Sequence, residues 1–291
     1  MTSWQTTRFQ IDLRRPRIMG IVNVTPDSFS DGGEHADTES ALRHAEQLLK
    51  EGAHILDIGG ESTRPGSPAL PLHEELARVL PLLREAVKLG VPISVDTYKP
   101  EVMAAALDAG ADIINDIWAL RRASESGGAS ALDVVAAHPS CGVCLMHMHR
   151  DPQSMQTAPM EGDAVPQVRG FLRQAATALQ ARGVSASRIV LDPGIGFGKT
   201  VAQNFALLAR QAELLADGYP LLVGWSRKSS LGKALQGEAP APLPPAQRMI
   251  GSVAAALMAV ERGARIVRVH DVRETAEALA VWRQLQPVPP H

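Results

Sequence analysis

Apolar residues along this chain follow two alternating rhythms. Short, nearly continuous apolar runs recur at residues 17–24 (RIMGIVNV), 54–60 (HILDIGG), 91–96 (VPISVD), 111–117 (ADIINDI), 141–148 (CGVCLMHM), 188–194 (RIVLDPG), 219–226 (YPLLVGWS) and 265–271 (RIVRVHD). Runs of this length, without the polar alternation of a half-exposed strand, predict parallel strands covered on both faces. Between them lie longer stretches with apolar positions three and four apart, such as TESALRHAEQLLKEG, LHEELARVLPLLREAVKLG and AQNFALLARQAELLADG. These predict helices, and ETAEALAVWRQLQ predicts a last one near the end of the chain. Gly52, Gly90, Gly110, Gly183, Gly218 and Gly263 close several of the helical stretches, where a left-handed cap is expected. Eight such units, crossing over with one hand, predict an α/β fold: a single-domain (β/α)8 TIM barrel over residues 1–291, with residues 1–16 as an N-terminal extension. A doubly wound sheet is the structural alternative, but it rarely needs eight such regular units. FQIDL at 9–13 reads as a strand outside the barrel, and GEAPAPLPPAQ from Gly237 as a surface loop.

In such a barrel the site lies at the C-terminal ends of the strands. Every predicted strand ends there in a polar residue. They are Asn23, Asp57, Asp96, Asn115 with Asp116, His147, Asp192, the SRKS run at 226–229, and Arg268 with His270. A buried polar group costs a few kcal/mol unless paired, so the whole set is hard to explain by stability. Any one aspartate could be a helix N-cap. Together, Asp96, Asn115 and Asp192 suit a flat heterocycle with adjacent N–H donors, because a carboxylate accepts two parallel hydrogen bonds. Asp57 precedes a glycine pair and is read as structural, orienting its neighbours. The SRKS run opens a helical stretch and offers N–H groups and cations to an anion. Alternation puts Arg268 and His270 on one side of their strand. A buried arginine without an anionic partner is costly, which favours a ligand phosphate as its counter-ion.

Two motifs fail on inspection. DPGIGFGKT ends in GKT, but Pro193 stands where a phosphate loop needs glycine. CGVC lies within a strand, where residues three apart point to opposite faces, so Cys141 and Cys144 form neither a chelate nor a redox pair. His147 and His149 share a face without a third ligand, so they read as ordinary strand-end residues rather than zinc ligands.

Composition narrows the classes further. The chain is 45% hydrophobic and 21% charged, which fits a packed core and not disorder. Aromatics are only 4%, so that core is aliphatic. A net charge of -2 supplies no global basic field, so neither nucleic acid nor a membrane is expected as a partner. Two cysteines make no disulfide framework. The first residues lack an apolar signal region, and no stretch is long enough to span a bilayer. A soluble, cytoplasmic protein is expected.

Eight segments, in this order, carry a more specific signal: MGIVNVTPDSFSDGG, DIGGESTRPG, ISVDTYKPEV, INDI, CLMHM, LDPGIGFGK, LVGWSRKS and RVHDV. Over almost its whole length the chain resembles the dihydropteroate synthase family of pterin-binding barrels. The resemblance implies a homodimer and a transferase of folate biosynthesis. That enzyme joins 7,8-dihydropterin-6-ylmethyl diphosphate to p-aminobenzoate, giving 7,8-dihydropteroate and pyrophosphate, with Mg2+ as cofactor and sulfonamides as competitors. It implies that Asp96, Asn115, Asp192 and Lys228 contact the pterin, and that Thr63, Arg268 and His270 face the diphosphate. It makes Asn23 the Mg2+ ligand. Phe29, Asp31, Arg64 and Pro65 match two mobile loops. Phe29, Arg64, Pro65, Phe197, Lys228 and Ser229 match the p-aminobenzoate side. Catalytic roles then fall to Asp31, Lys228, Arg268 and His270. Trp118, Trp225 and the proline-rich stretch 239–245 depart from the family pattern. One alternative is a barrel like the methyltetrahydrofolate–corrinoid methyltransferases, which would have less use for SRKS beside the RVH pair. A catalytically silent pterin-binding paralogue is the other. An aldolase-like barrel would want a lysine within a strand, whereas Lys228 follows one.

Overall fold

The computed structural model describes residues 1–24, 33–62, 66–239 and 241–285, without the side chains of 33–37. Two short strands, β1 (Ser3–Gln5) and β2 (Gln10–Asp12), form an antiparallel hairpin. Eight more follow: β3 (Arg17–Asn23), β4 (Ile55–Gly59), β5 (Ile93–Asp96), β6 (Ile113–Asp116), β7 (Gly142–Met146), β8 (Ile189–Asp192), β9 (Leu222–Val223) and β10 (Ile266–Val269). They pair in parallel in the order β8-β7-β6-β5-β4-β3-β10-β9. The two edges meet in a bridge between Leu191 and Leu221, where the Leu191 N–H donates to Pro220 O at 3.0 Å. The sheet thus closes into the expected barrel, and each of the eight predicted strands is present.

The helices packed around it are α1 (Gly33–Lys50), α2 (Leu72–Ala86), α3 (Pro100–Asp108), α4 (Ala131–Ala137), α5 (Ala164–Ala181), α6 (Val201–Ala209), α7 (Gln211–Leu214), α8 (Ser229–Ala234), α9 (Met249–Glu261) and α10 (Val272–Arg283). All six glycines expected at helix ends have positive φ, between 72° and 110°. Periodicity did not single out α4. It spans only seven residues and is set by a capping box between Ser130 and Asp133. The helix expected over 202–218 breaks at Arg210. There the buried Gln211 turns its amide to the carbonyls of Ala259 and Arg262, at 2.9 and 3.1 Å, at the end of α9.

Two apolar layers result. Outward-facing strand residues such as Ile18, Val22, Ile58, Val143 and Val267 pack against the helices. Inward-facing Met19, Ile55, Ile113, Cys144, Val190, Leu222 and Ile266 pack against Trp4, Ile11 and Leu13 of the hairpin, which plugs the N-terminal mouth. Trp4 is fully buried and its indole N–H donates to Arg188 O at 2.9 Å. Asp112, also fully buried, locks the plug. It accepts from the Arg8 backbone N–H and Nε at 3.0 Å, Arg8 Nη2 at 2.6 Å, and the Ile93 N–H at 2.9 Å. Cys141 belongs to the outer layer and Cys144 to the interior, on opposite faces as expected. Among the described residues no helix is long and apolar enough to cross a membrane.

Strand periodicity then places the polar residues. Two positions on from Ile55, Ile113, Val190 and Ile266, on the same inward face, stand Asp57, Asn115, Asp192 and Arg268. The sealed apolar floor therefore gives way, one layer up, to a polar layer at the open mouth.

Candidate active site

An open cavity lies over that polar layer. Asp96, Asn115, Asp192, Lys228 and Arg268 line it together with Ile117, Met146, Gly194, Ile195, Phe197 and Gly224. The three acceptors expected to converge from β5, β6 and β8 do so. Apolar walls from Ile117, Met146 and Phe197 face them, which suits a flat heterocycle held by its polar edge. Nothing in the sequence pattern marked Ile117 or Met146 as wall residues, because apolar residues on strands are the rule.

Arg268 corrects one expectation. Its charge does not wait for a ligand phosphate. Nε donates to Asp57 Oδ2 at 2.5 Å and Nη2 to Asp96 Oδ2 at 2.7 Å. Burial works against its charge, but Asp57 and Asp96 hold it protonated above the usual guanidinium range. Nη1 makes no hydrogen bond among the described residues, so one edge of the fork is left for a ligand. Asp57 orients its neighbours, as expected: the same Oδ2 also accepts from Asn115 Nδ2 at 3.2 Å. That bond fixes the Asn115 amide with its NH2 downward.

Asp192 is held by the loop that follows it. The Gly194 N–H donates to Asp192 Oδ1 at 2.7 Å. Gly194, Gly196 and Gly198 all have positive φ, and a Cβ on Gly194 would stand 1.9 Å from His147 O, so no other residue fits there. Lys199, 3% exposed, donates to the carbonyls of Gly194 at 2.8 Å, Phe197 at 3.1 Å and His147 at 3.3 Å. The lysine of the failed phosphate-loop motif is therefore a staple that holds the glycine loop and Phe197 over the cavity. Lys228 Nζ lies 4.2 Å from the centre of the Phe197 ring. The only sequence signal for Lys199 was a lysine inside an otherwise apolar, glycine-rich turn.

The electrostatics follow from this burial. Asp192 is pushed up to about 6 by burial, against the Gly194 N–H and the Lys228, Lys199 and Arg268 charges. Burial also raises Asp96 to about 7, with Arg268 opposing and Asp57 adding repulsion. Burial lowers Lys199 to about 7, with Asp192 opposing. A ligand presenting N–H donors to the two carboxylates would stabilise their charged forms.

Other site candidates fall elsewhere. His270 does not line the cavity beside Arg268. Its Nδ1 is 2.9 Å from Ser226 Oγ, and its own N–H donates to the same hydroxyl at 3.1 Å. Ser229 is exposed at the start of α8, next to Lys228. Asp116 is a turn former. Its oxygens accept from the Trp118 and Leu120 N–H groups at 2.8 and 2.6 Å, across a turn where Ala119 and Leu120 have positive φ. His147 stacks edge-on against Phe171, with ring centres 4.9 Å apart. Trp118 is half-buried between the Arg121 and Arg122 guanidinium groups, and Trp225 is buried in the outer core. Phe29, Asp31, Thr63, Arg64 and Pro65 lie outside the described residues.

Asn23 ends β3 with its side chain toward the mouth. A Cβ on Gly59 would lie 3.7 Å from Asn23 Oδ1 and 3.9 Å from Asp96 Oδ2, so glycine keeps the space beside both oxygens clear. Among the described residues no group of three His, Cys, Asp or Glu could hold a metal. A neutral amide oxygen suits Mg2+, which usually keeps several outside ligands. The donor set fits a magnesium ion that arrives with ligand oxygens.

Comparison with known proteins agrees with this geometry. The profile of the pterin binding enzymes matches residues 19–270. Dihydropteroate synthase of Neisseria meningitidis serogroup B is 52% identical over 287 residues, covering 97% of each chain. The crystal structure of Burkholderia cenocepacia dihydropteroate synthase complexed with 7,8-dihydropteroate superimposes with a TM-score of 0.85 at 50% identity, over 98% of this chain and 96% of that one. The Yersinia pestis dihydropteroate synthase structure with a sulfonamide drug complex does so with a TM-score of 0.87 at 44% identity, over 97% and 98%.

Proposed function

We propose roles for the individual residues from one premise: the chain belongs to the pterin-binding enzymes and, among them, to the dihydropteroate synthases. It is a transferase that moves a dihydropterinylmethyl group from diphosphate to the amino group of p-aminobenzoate. The C–O bond to diphosphate breaks, a C–N bond forms, and the amine loses a proton.

Asp96, Asn115 and Asp192 hold the pterin by its N–H and amino edge. The observation that carries this is their convergence, from three strands, on the floor of one cavity. Ile117, Met146 and Phe197 enclose the ring and exclude water. Arg268, through Nη1, and the Lys228 ammonium face the charge that develops on the leaving diphosphate, where fixed cations in a dry site are most effective. His270, oriented by Ser226, supports the same side. A bound Mg2+, held by Asn23 and diphosphate oxygens, would neutralise charge on the departing pyrophosphate. As the C–O bond lengthens, the pterin ring delocalises positive charge from the exocyclic methylene, and the p-aminobenzoate nitrogen attacks there. Thr63 joins the diphosphate side, Asp31 shields the developing cation, and Phe29, Arg64, Pro65, Phe197 and Ser229 complete the p-aminobenzoate side. No covalent enzyme intermediate is required.

The chain acts in the cytoplasm as a homodimer, and sulfonamides compete with p-aminobenzoate. The sulfonamide complex of the Yersinia pestis relative supports the last point. Ile250 and Met258 on α9 and Val281 on α10, which are 79%, 50% and 70% exposed, offer an apolar surface for the dimer. Sedimentation at micromolar concentration tests the dimer.

Pyrophosphate release tests the function. Release is expected only with both substrates and Mg2+. Release without p-aminobenzoate would mean hydrolysis, and none with both substrates would overturn the reading.

A further inference from the structure

A buried ionic cluster stands beside the cavity without contributing to its lining. Lys99, the residue before α3, is 4% exposed. Its ammonium donates to Glu61 Oε2 and to Glu75 Oε2, both at 2.5 Å. Glu61 Oε1 accepts in turn from the Tyr98 hydroxyl at 2.9 Å. Two carboxylates share one cation with little water, an arrangement that stabilises a fold less than apolar side chains of the same volume would. Its location suggests what else it does. Glu61 stands two residues beyond the end of β4 and two before residue 63, on the connection that carries Thr63, Arg64 and Pro65.

The described residues on either side of 63–65 are held to the barrel. A Cβ on Gly60 would meet Val79 Cγ2 at 2.8 Å, so the backbone runs against α2, and Gly60 O accepts from Arg78 Nη1 at 3.2 Å. Ser62 Oγ and Ser67 Oγ are 3.1 Å apart, and the Gly66 N–H donates to Pro152 O at 3.3 Å. Lys99 adds an ionic tie. It joins the connection after β4 to the connection after β5, which begins at the pterin-facing Asp96, and to α2 through Glu75.

We infer that Lys99 is a positioning residue for the acceptor substrate. Through Glu61 it fixes the direction in which the chain leaves β4 toward residues 63–65, and so sets p-aminobenzoate affinity without touching either substrate. This deepens the functional reading above and rests on its placement of Arg64 and Pro65 beside p-aminobenzoate.

The test is steady-state kinetics for each substrate on the full chain, with thermal unfolding alongside. Lys99→Met/Glu75→Gln removes the cation and one buried charge together, and is read against Glu75→Gln alone, so that the difference isolates Lys99. Expected is a rise in KM for p-aminobenzoate of about tenfold or more, with kcat and KM for the pterin diphosphate within about threefold, the pattern of lost acceptor positioning. Tyr98→Phe removes one hydrogen bond to Glu61 and should raise the same KM by about threefold, without a large change in melting temperature. A barrel-wide loosening would instead move both KM values and kcat together, and that result overturns the inference. So does an unchanged p-aminobenzoate KM in the double variant, or in Tyr98→Phe where the double variant does not fold. Arg64→Ala separates the two layers. A raised KM there with none in the Lys99 and Tyr98 variants sinks the positioning role alone. An unchanged KM in Arg64→Ala sinks the placement of the 63–65 segment beside p-aminobenzoate.

Discussion

Replacing Asp192 by Asn separates binding from stability, because the two should move in opposite directions. In the native site Oδ1 accepts the Gly194 N–H at 2.7 Å, and the side chain lines the cavity. An asparagine has two ways to sit there. With its oxygen on Gly194, its NH2 points at the N–H edge of the pterin. With its oxygen toward the pterin, its NH2 meets the Gly194 N–H. Either way one donor faces another in a buried site, a loss of about 1–3 kcal/mol, or about 5- to 150-fold in affinity. Stability should move the other way. Burial raises the Asp192 carboxyl from 3.8 to about 6, which corresponds to about 3 kcal/mol against the ionised form in the fold. An acid raised on folding destabilises the native state above its folded value, and the effect vanishes below its unfolded value near 4. The ligand-free Asp192→Asn variant should therefore equal or exceed the wild type in stability at pH 8, and lose that advantage as pH falls through 6 toward 4. Dihydropterin titration by calorimetry, and urea unfolding at pH 8 and pH 4.5, measure the two effects. The wild type should also lose affinity as pH drops through about 6, a component the variant lacks. Unchanged dihydropterin affinity with the fold intact would refute the assignment of Asp192 to the pterin edge. A variant less stable at pH 8 than at pH 4.5, relative to wild type, would refute the burial reasoning.

Other outcomes test other parts of the site. Arg268→Met leaves Asp57 and Asp96 without their cation and should cost about 3–5 kcal/mol in urea unfolding at pH 8. The loss should shrink toward pH 5, because Asp96, already raised to about 7, takes up a proton; a loss independent of pH would argue against it. Asn23→Ala should weaken Mg2+-dependent binding of the pterin diphosphate and spare the bare pterin, and equal losses in calorimetry would make Asn23 structural. Binding of p-aminobenzoate or a sulfonamide should be weak to the free enzyme and much tighter with pyrophosphate and Mg2+, since two ligands that share one conformational cost bind cooperatively. Equal affinity in the two conditions would mean a preformed pocket.

The fold was legible because two periods carry it. Uninterrupted apolar runs marked the buried parallel strands, and glycines at helix ends marked the returns; both follow from local sterics and burial. The polar strand ends were legible for the same reason, since alternation alone stacks Asp57 over Ile55 and Arg268 over Ile266. Pairings across the barrel were not. Arg268 and Asp57 are 211 positions apart in sequence, so the argument from an unpartnered arginine missed a counter-ion already inside the protein. Lys199 and Lys99 were invisible in another way. Each acts through carbonyls or carboxylates that distant segments bring to it, and a lysine in a loop carries no periodic signal. The chemistry of the ligand was read from the family resemblance, not from spacing.

Each of the three carboxylates of the polar layer has one oxygen engaged by the protein itself. Asp57, 0% exposed, accepts from both Arg268 and Asn115 through Oδ2, while its buried Oδ1 has no partner among the described residues. Asp96 and Asp192 lie nearer the mouth, and each has one oxygen engaged, by Arg268 Nη2 and by the Gly194 N–H. A half-satisfied buried acceptor is a poor stabiliser, and burial raises both groups above the usual carboxylate range, which disfavours their charged forms. The same deficit is what a donor-edged heterocycle can relieve. The barrel can carry it because stability is supplied at the other end, where Trp4 and the Arg8–Asp112 pair seal the interior with every oxygen of the Asp112 carboxylate engaged. Closing one mouth with a satisfied plug leaves the other free to hold acceptors that only a substrate completes.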